Sequence, residues 1–133
     1  MGDNERAIAD YDRAIRLNPN NVEAYSDRGI AYAAKGDFAK AIADLNTAIQ
    51  LQPADALRYN MRGSIYEDSR DYGKAIADYN KAIQLNPDYA DAYNSRGFIY
   101  LKEGNYERAI VDLNEAIELK PDFAVACVYH HRI

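Results

Sequence analysis

Hydrophobic and small residues recur along the chain at the spacing of helix faces. Tyr25, Gly29 and Tyr32 lie four and three residues apart, so a single helix face carries all three positions. Gly36 suits the left-handed position that ends a helix, and after it apolar residues recur over 38–49 as an amphipathic stripe. The pattern predicts two consecutive helices joined by a short turn.

The same pair of helices returns every 34 residues. The prolines that follow the second helix of each pair keep this step: Pro19, Pro53, Pro87 and Pro121. Small and aromatic residues keep it as well: Gly29, Gly63 and Gly97; Tyr25, Tyr59 and Tyr93; Ala41, Ala75 and Ala109. A fixed period of this length is typical of one supersecondary unit written several times, which buries its core between neighbouring copies.

The residues within one period resemble a known repeat family. The motif reads Tyr25-x2-Arg28-Gly29-x2-Tyr32, then Ala41-x3-Leu45, then Pro53. It resembles the tetratricopeptide repeat, although tyrosine stands where that family has tryptophan. The resemblance covers nearly the whole chain and implies an all-α fold, a right-handed superhelical solenoid of antiparallel helix pairs with about eight helices.

We expect the chain to be a single array over 1–133. The positions of the prolines within the 34-residue period indicate where each repeat begins and ends. Residues 2–21 are predicted as the second helix of a partial repeat, 22–55, 56–89 and 90–123 as full repeats, and 124–133 as the first helix of a partial repeat. Three interpretations stay open: a piece of a longer array, a module that self-associates through its end helices, and a consensus-like engineered array, suggested by the near identity of 7–17 and 75–85.

Composition narrows the class of partner. The 133 residues include 16 Lys and Arg against 21 Asp and Glu, a net charge of −5, which argues against nucleic acid. The first ten residues have no apolar run, so we expect neither a signal peptide nor a membrane anchor. The single cysteine, Cys127, cannot form an internal disulfide, which fits a cytoplasmic protein.

Charged residues follow the repeat too. Arginines stand where the family often has leucine, and aspartates recur on the second helices: Arg28, Arg62 and Arg96; Asp10, Asp44, Asp78 and Asp112. We expect an alternating ladder along the stack, starting from Asp10 and Arg28, with His130 in the place of a fourth arginine. The alternative is a set of separate exposed pairs, each worth ~0–1 kcal/mol. Either role is structural, because equivalent copies along a rod do not make one catalytic site.

Each first helix has a second stripe of positions, which lies outside the face that packs against other helices. In the family the first helices line the concave side of the superhelix, so the resemblance implies that these stripes form a peptide-binding groove. Its predicted residues are Glu23, Ser26, Ile30, Leu57, Asn60, Ser64, Glu67, Asp91, Asn94, Phe98, Leu101 and Lys102. Asn60 and Asn94, one period apart, suit an extended chain because an amide bonds a peptide backbone as donor and acceptor.

The charge of this stripe favours a neutral or basic protein or peptide. Family members that grip a C-terminal carboxylate use lysine and arginine here, whereas the sequence suggests Lys102 as the only nearby cation and predicts no such clamp. Acidic residues around the stripe, such as Glu23 and Asp91, steer a complementary ligand. The alternative is a solvated helix face that binds no ligand.

Catalysis is not expected. The candidate nucleophile and bases are Cys127, His130 and His131, all within the last seven residues, and two metal ligands at i and i+3 fall short of the three or four that zinc requires. We predict no cofactor, no metal, and no nucleic-acid or membrane partner. The sequence therefore indicates a non-enzymatic interaction scaffold, with a self-associating assembly module as the alternative.

Overall fold

The computed structural model describes residues 2–121, which fold entirely into helices and connecting turns. Seven helices follow one another: α1 Asp3–Leu17, α2 Val22–Ala34, α3 Phe38–Leu51, α4 Ala56–Asp68, α5 Tyr72–Leu85, α6 Ala90–Lys102 and α7 Tyr106–Leu119. Each packs against the next along the chain, and α2 also contacts α4. The predicted all-α solenoid is confirmed, and the predicted helix within 124–133 lies outside the described residues.

Short polar side chains start the second helices of the pairs. Asp37 accepts a hydrogen bond from the backbone N–H of Lys40 at 3.3 Å, and Asp71 and Asn105 cap α5 and α7 in the same way. These bonds satisfy backbone donors that the first turn of a helix leaves without a partner. The caps explain why α3, α5 and α7 all begin one residue after an Asp or Asn.

The turn within each pair requires a left-handed residue. Gly36 has a φ of 84° and Gly104 a φ of 79°, as the sequence pattern predicts. Arg70 occupies the same position in the middle repeat and keeps the conformation, with a φ of 67°. A side chain in this region costs roughly 1–2 kcal/mol, so the geometry of the repeat overrides the preference of the residue.

Small residues bring the two helices of each pair together. A Cβ added to Gly63 would lie 2.9 Å from the Cε1 atom of Tyr79, and one added to Gly29 would overlap Leu45. The alanines Ala41, Ala75 and Ala109 are completely buried on the facing helices. Close approach at these positions, which the sequence predicts, sets the spacing of every pair.

Each repeated arginine joins two second helices. Arg62 donates to both carboxylate oxygens of Asp78, at 2.8 and 2.7 Å, and its Nη1 donates to Asn46 at 2.8 Å. Arg28 binds Asp44 and Asp12, and Arg96 binds Asp112 and Asn80, with the same atoms. The hydrogen bonds to Asp78 raise the pKa of Arg62 above its usual value.

For each arginine, the predicted ladder therefore has the correct partner on the second helix that follows it in the chain and the wrong partner on the second helix that precedes it. Asp44, Asp78 and Asp112 are partners as expected, but the preceding helix contributes Asp12, Asn46 and Asn80. Asp10 instead lies 4.0 Å from Arg13 on the surface of α1. Asp10 and Asp12 differ by about 200° around a helix, so Asp10 faces away from Arg28. The bridges are separate three-residue units.

Tyrosine rings flank these arginines. The guanidinium carbon of Arg28 lies 5.8 Å from the centroids of both Tyr25 and Tyr32. Arg62 and Arg96 approach the preceding tyrosine in the same way, at 5.6 Å. The tyrosine ring gives each guanidinium a cation–π contact in addition to its carboxylate partner.

Within residues 2–121, no helix combines the length and the apolar character needed to cross a membrane.

Candidate peptide-binding surface

The first helices α2, α4 and α6 share one surface, which we name the first-helix surface. Four sets of equivalent positions, which we call registers, define it, and the members of each register are 34 residues apart. The registers are Glu23, Leu57 and Asp91; Ser26, Asn60 and Asn94; Ile30, Ser64 and Phe98; Ala33, Glu67 and Leu101. In three of these registers the residue differs in every repeat, whereas the register of Ser26 carries asparagine in the other two repeats. By contrast, the packing registers keep the same glycines and alanines throughout. Other buried positions do vary, such as Leu45, Tyr79 and Leu113, but the glycines and alanines that set the helix spacing do not.

The middle register of this surface holds polar side chains at low exposure. Asn94 is 7% exposed and Asn60 is half-buried, and the side-chain oxygen of each is buried without a hydrogen-bond partner. Ser26 occupies the same register in the first repeat, but its hydroxyl donates to the carbonyl of Val22 within α2. Buried amide oxygens without partners cost roughly 1–3 kcal/mol each. The side-chain oxygens of the two asparagines therefore keep the capacity to accept a hydrogen bond, while the Asn60 amide also bonds the Tyr89 hydroxyl.

The outer registers combine apolar and polar contact area. Leu57 is 45% exposed and Ile30 is 42% exposed, whereas Phe98 and Leu101 are half-buried. Ser64 and Glu23 are exposed. The apolar side chains of the first two repeats are thus open to a ligand, and those of the third form a shallower surface.

Some of the predicted charges are already paired. Glu67 accepts a hydrogen bond from the Tyr79 hydroxyl at 2.7 Å, and the Nζ atom of Lys102 lies 3.9 Å from the Glu67 carboxylate. Asp91 lies 3.8 Å from the Nζ atom of Lys120. Burial, followed by the bond to Glu67, raises the pKa of Tyr79 well above its usual value. Glu23 makes no such ion pair among residues 2–121.

One charged residue of this surface, Arg58, was not among those predicted from the sequence. Arg58 is 7% exposed on α4, at the position where the first and third repeats carry the buried alanines Ala24 and Ala92. Its Nη1 atom lies 4.0 Å from Asp55, and its Nε atom is buried with no hydrogen-bond partner. Lys102 is therefore not the only cation here. The sequence does show that Arg58 interrupts a register of alanines, but it does not show that the guanidinium is buried.

Arg58 lines a cavity of about 350 Å³ between α2 and α4. The other lining residues are Glu23, Ser26, Asp27, Leu57 and Met61. Three of the predicted surface residues therefore meet at one cavity, together with Arg58, Asp27 and Met61, which the prediction did not include. The remaining predicted residues lie outside it, on α2, α4 and α6.

A larger cavity of about 560 Å³ lies on the arginine side, between α5, α6 and α7. Several of its polar groups are already engaged. Arg96 binds Asn80 and Asp112, and Arg108 lies over the ring of Tyr100 at 5.7 Å. Because the Nε atom of Arg58 has no hydrogen-bond partner, the smaller cavity is the better candidate for a ligand.

The candidate catalytic and metal-binding residues, Cys127, His130 and His131, lie outside the described residues. Across residues 2–121, no group of three or more His, Cys, Asp or Glu side chains is arranged to hold a metal ion.

Three family models match successive parts of the chain. A model described as "Tetratricopeptide repeat" matches residues 2–63, one described as "TPR repeat" matches 63–104, and a further "Tetratricopeptide repeat" model matches 90–123. Together the matches reach from residue 2 to residue 123, and the last of them spans one full 34-residue repeat, 90–123.

Solved structures show the same arrangement of helices. One described as the crystal structure of MamA is 31% identical, with a TM-score of 0.81, over 98% of this chain and 80% of that chain. Another, MamA 41-end from Desulfovibrio magneticus RS-1, is 25% identical, with a TM-score of 0.80, over 91% of this chain and 68% of that chain. A comparison with curated protein sequences gives no match.

Proposed function

Because the chain belongs to the tetratricopeptide-repeat family, we propose that it is a non-enzymatic interaction scaffold that binds an extended peptide or a partner helix across the first-helix surface. One observation carries this proposal. The glycine and alanine packing registers Gly29, Gly63 and Gly97 and Ala41, Ala75 and Ala109 repeat unchanged, whereas the first-helix surface carries different residues from copy to copy, apart from the shared Asn60 and Asn94. A surface maintained only for stability has no need of such differences.

The asparagines supply the contacts to the ligand. Asn60 and Asn94 recur one period apart, and each has a side-chain oxygen without a partner. Rotation of either amide presents both a donor and an acceptor to a peptide backbone. Leu57 and Ile30 add exposed apolar contact area. We expect an affinity near ~1 µM, or ~−8 kcal/mol, as for a transient binder.

A titration of fluorescently labelled peptide libraries tests the proposal. Wild-type protein should give saturable binding, and the Asn60→Ala/Asn94→Ala variant should weaken it by about tenfold, or ~1.4 kcal/mol. Asn4→Ala/Asn114→Ala removes two exposed asparagines from α1 and α7 and is the matched control. No saturable binding, or equal binding by both variants and wild type, contradicts the proposal.

Self-association is a second candidate function, and one observation favours it. The surface of α7 exposes Tyr106, Ile110 and Val111, of which Val111 is 67% exposed. An exposed apolar patch of this kind on the last described helix suits a heterologous contact between copies. Light scattering across a hundredfold concentration range tests it. A monomer throughout contradicts self-association in that range.

A further inference from the structure

We infer that the cavity between α2 and α4 is a specificity pocket for one basic residue of the bound peptide, lysine or arginine. The inference rests on the peptide binding proposed above and goes further, because it names the side chain and where it binds. Its components are the carboxylates of Glu23 and Asp27, the apolar side chains of Leu57 and Met61, and the buried guanidinium of Arg58.

The charge of the cavity selects a cation. Glu23 and Asp27 are exposed carboxylates on α2 and line the cavity together with the single cation Arg58. Asp55, 4.0 Å from Arg58, offsets that cation further. The sum is negative, so the potential attracts a basic side chain and disfavours a carboxylate or phosphate.

The apolar part of the cavity fits the stem of the same side chain. Leu57 and Met61 lie one helical turn apart on α4 and both line the cavity. Lysine and arginine place a chain of methylene groups against apolar surface while the charged end remains near carboxylates. A volume of about 350 Å³ is at the small end of the range for ligand sites.

Arg58 completes the pocket by receiving the backbone of the ligand. Its guanidinium is nearly buried, its Nε has no partner, and its nearest carboxylate is beyond hydrogen-bond distance. A buried Nε–H without an acceptor is a poorly satisfied donor. A peptide carbonyl entering the cavity supplies an acceptor, and the basic side chain of that residue then reaches Glu23 and Asp27.

Three labelled heptapeptide libraries test the inference, identical except that the central residue is fixed as lysine, norleucine or glutamate. Wild-type protein should bind the lysine library about tenfold more tightly than the norleucine library, and the glutamate library most weakly. The preference should shrink in 1 M salt, because exposed carboxylates are screened there. Glu23→Gln/Asp27→Asn should reduce it to less than threefold, because the lysine library loses more affinity than the norleucine library does.

Two further variants separate charge in the pocket from charge elsewhere. Asp10→Asn/Glu118→Gln removes two exposed carboxylates on α1 and α7 and should keep the preference for lysine. Arg58→Ala restores the alanine of the other repeats, so it should fold, and it should weaken both libraries while the preference for lysine is kept or increased.

The outcomes distinguish the pocket from the surface. If the libraries bind in an Asn60- and Asn94-dependent way but without preference for lysine, the pocket is overturned and the first-helix surface stands. A preference that survives Glu23→Gln/Asp27→Asn, or that disappears equally in Asp10→Asn/Glu118→Gln, also overturns the pocket. If no library binds saturably, the proposed function fails, and the pocket fails with it.

Discussion

Arg62 donates hydrogen bonds to both carboxylate oxygens of Asp78, at 2.8 and 2.7 Å, across the two helices of the middle pair. The side chain of Asp78 is 7% exposed and that of Arg62 is 21% exposed. The two planar groups meet as a bidentate pair that water barely reaches. Removal of either partner therefore leaves a largely buried charge without its counter-ion.

The first prediction concerns the energy of this pair. Asp78→Ala and Arg62→Ala should each lower the free energy of unfolding by about 3 kcal/mol, because each leaves the other charge unpaired. The double variant should lose less than the sum, with a coupling energy of about 1–2 kcal/mol. Urea denaturation of the four proteins measures this. The exposed pair of Asp10 and Arg13, at 4.0 Å, is the control and should couple by less than ~0.5 kcal/mol. Equal coupling in both pairs contradicts the account.

The second prediction concerns the close approach of α4 and α5. Gly63→Ala should destabilise the protein by about 1–3 kcal/mol, because the new methyl group lies 2.9 Å from the rigid ring of Tyr79. Gly73→Ala, on α5 with no atom within 4 Å, should instead stabilise it by about 0.5 kcal/mol. Thermal unfolding followed by circular dichroism compares the two. Shifts of the same sign would refute the packing argument.

The third prediction concerns the strained turn of the middle repeat. Arg70→Gly should raise the free energy of unfolding by about 1 kcal/mol, because glycine adopts a φ of 67° without a steric penalty. Gly104→Arg places the same side chain at a φ of 79° and should lower it by a similar amount. Chemical denaturation measures both changes. No gain in Arg70→Gly would show that the left-handed position is not strained.

The fourth prediction concerns alkaline pH. The pKa of Tyr79 is raised by burial and by Glu67, so the folded state holds this proton more tightly than the unfolded state. Its contribution to stability is complete below the unfolded pKa, about 10, and is lost as pH rises above it. Tyr79→Phe should therefore make the free energy of unfolding fall less steeply between about pH 9 and 11. Tyr106→Phe, at an exposed tyrosine, is the control. Identical slopes for Tyr79→Phe and wild type contradict this assignment.

The sequence predicts most of the fold because the residues that form each contact recur in every 34-residue repeat. The 34-residue step located the helix starts at Val22 and Phe38, and the small residues Gly29 and Ala41 indicated close packing. The left-handed position of Arg70 could be predicted from its two glycine counterparts. These features are local or lie within one repeat, so the pattern contains them.

Contacts between repeats were harder to predict. The second partner of Arg62 is Asn46 rather than Asp44, because it depends on how one helix pair is rotated against the next, which the period does not specify. The buried Arg58 was missed for a related reason, since its burial arises from packing between α2 and α4. The structure is therefore most informative about residues that do not repeat and that lie between neighbouring repeats, because the sequence pattern does not predict their contacts.

The most direct test of the central claim is a map of where a peptide binds. ¹⁵N-labelled protein would be titrated with the lysine-fixed library, and the amide resonances followed to saturation. The account predicts shifts concentrated on the first-helix surface, at Leu57, Asn60 and Asn94, with Asn46 and Asn80 on the arginine side unchanged. Shifts confined to Tyr106, Ile110 and Val111 on α7, or no shifts at saturating peptide, would contradict it.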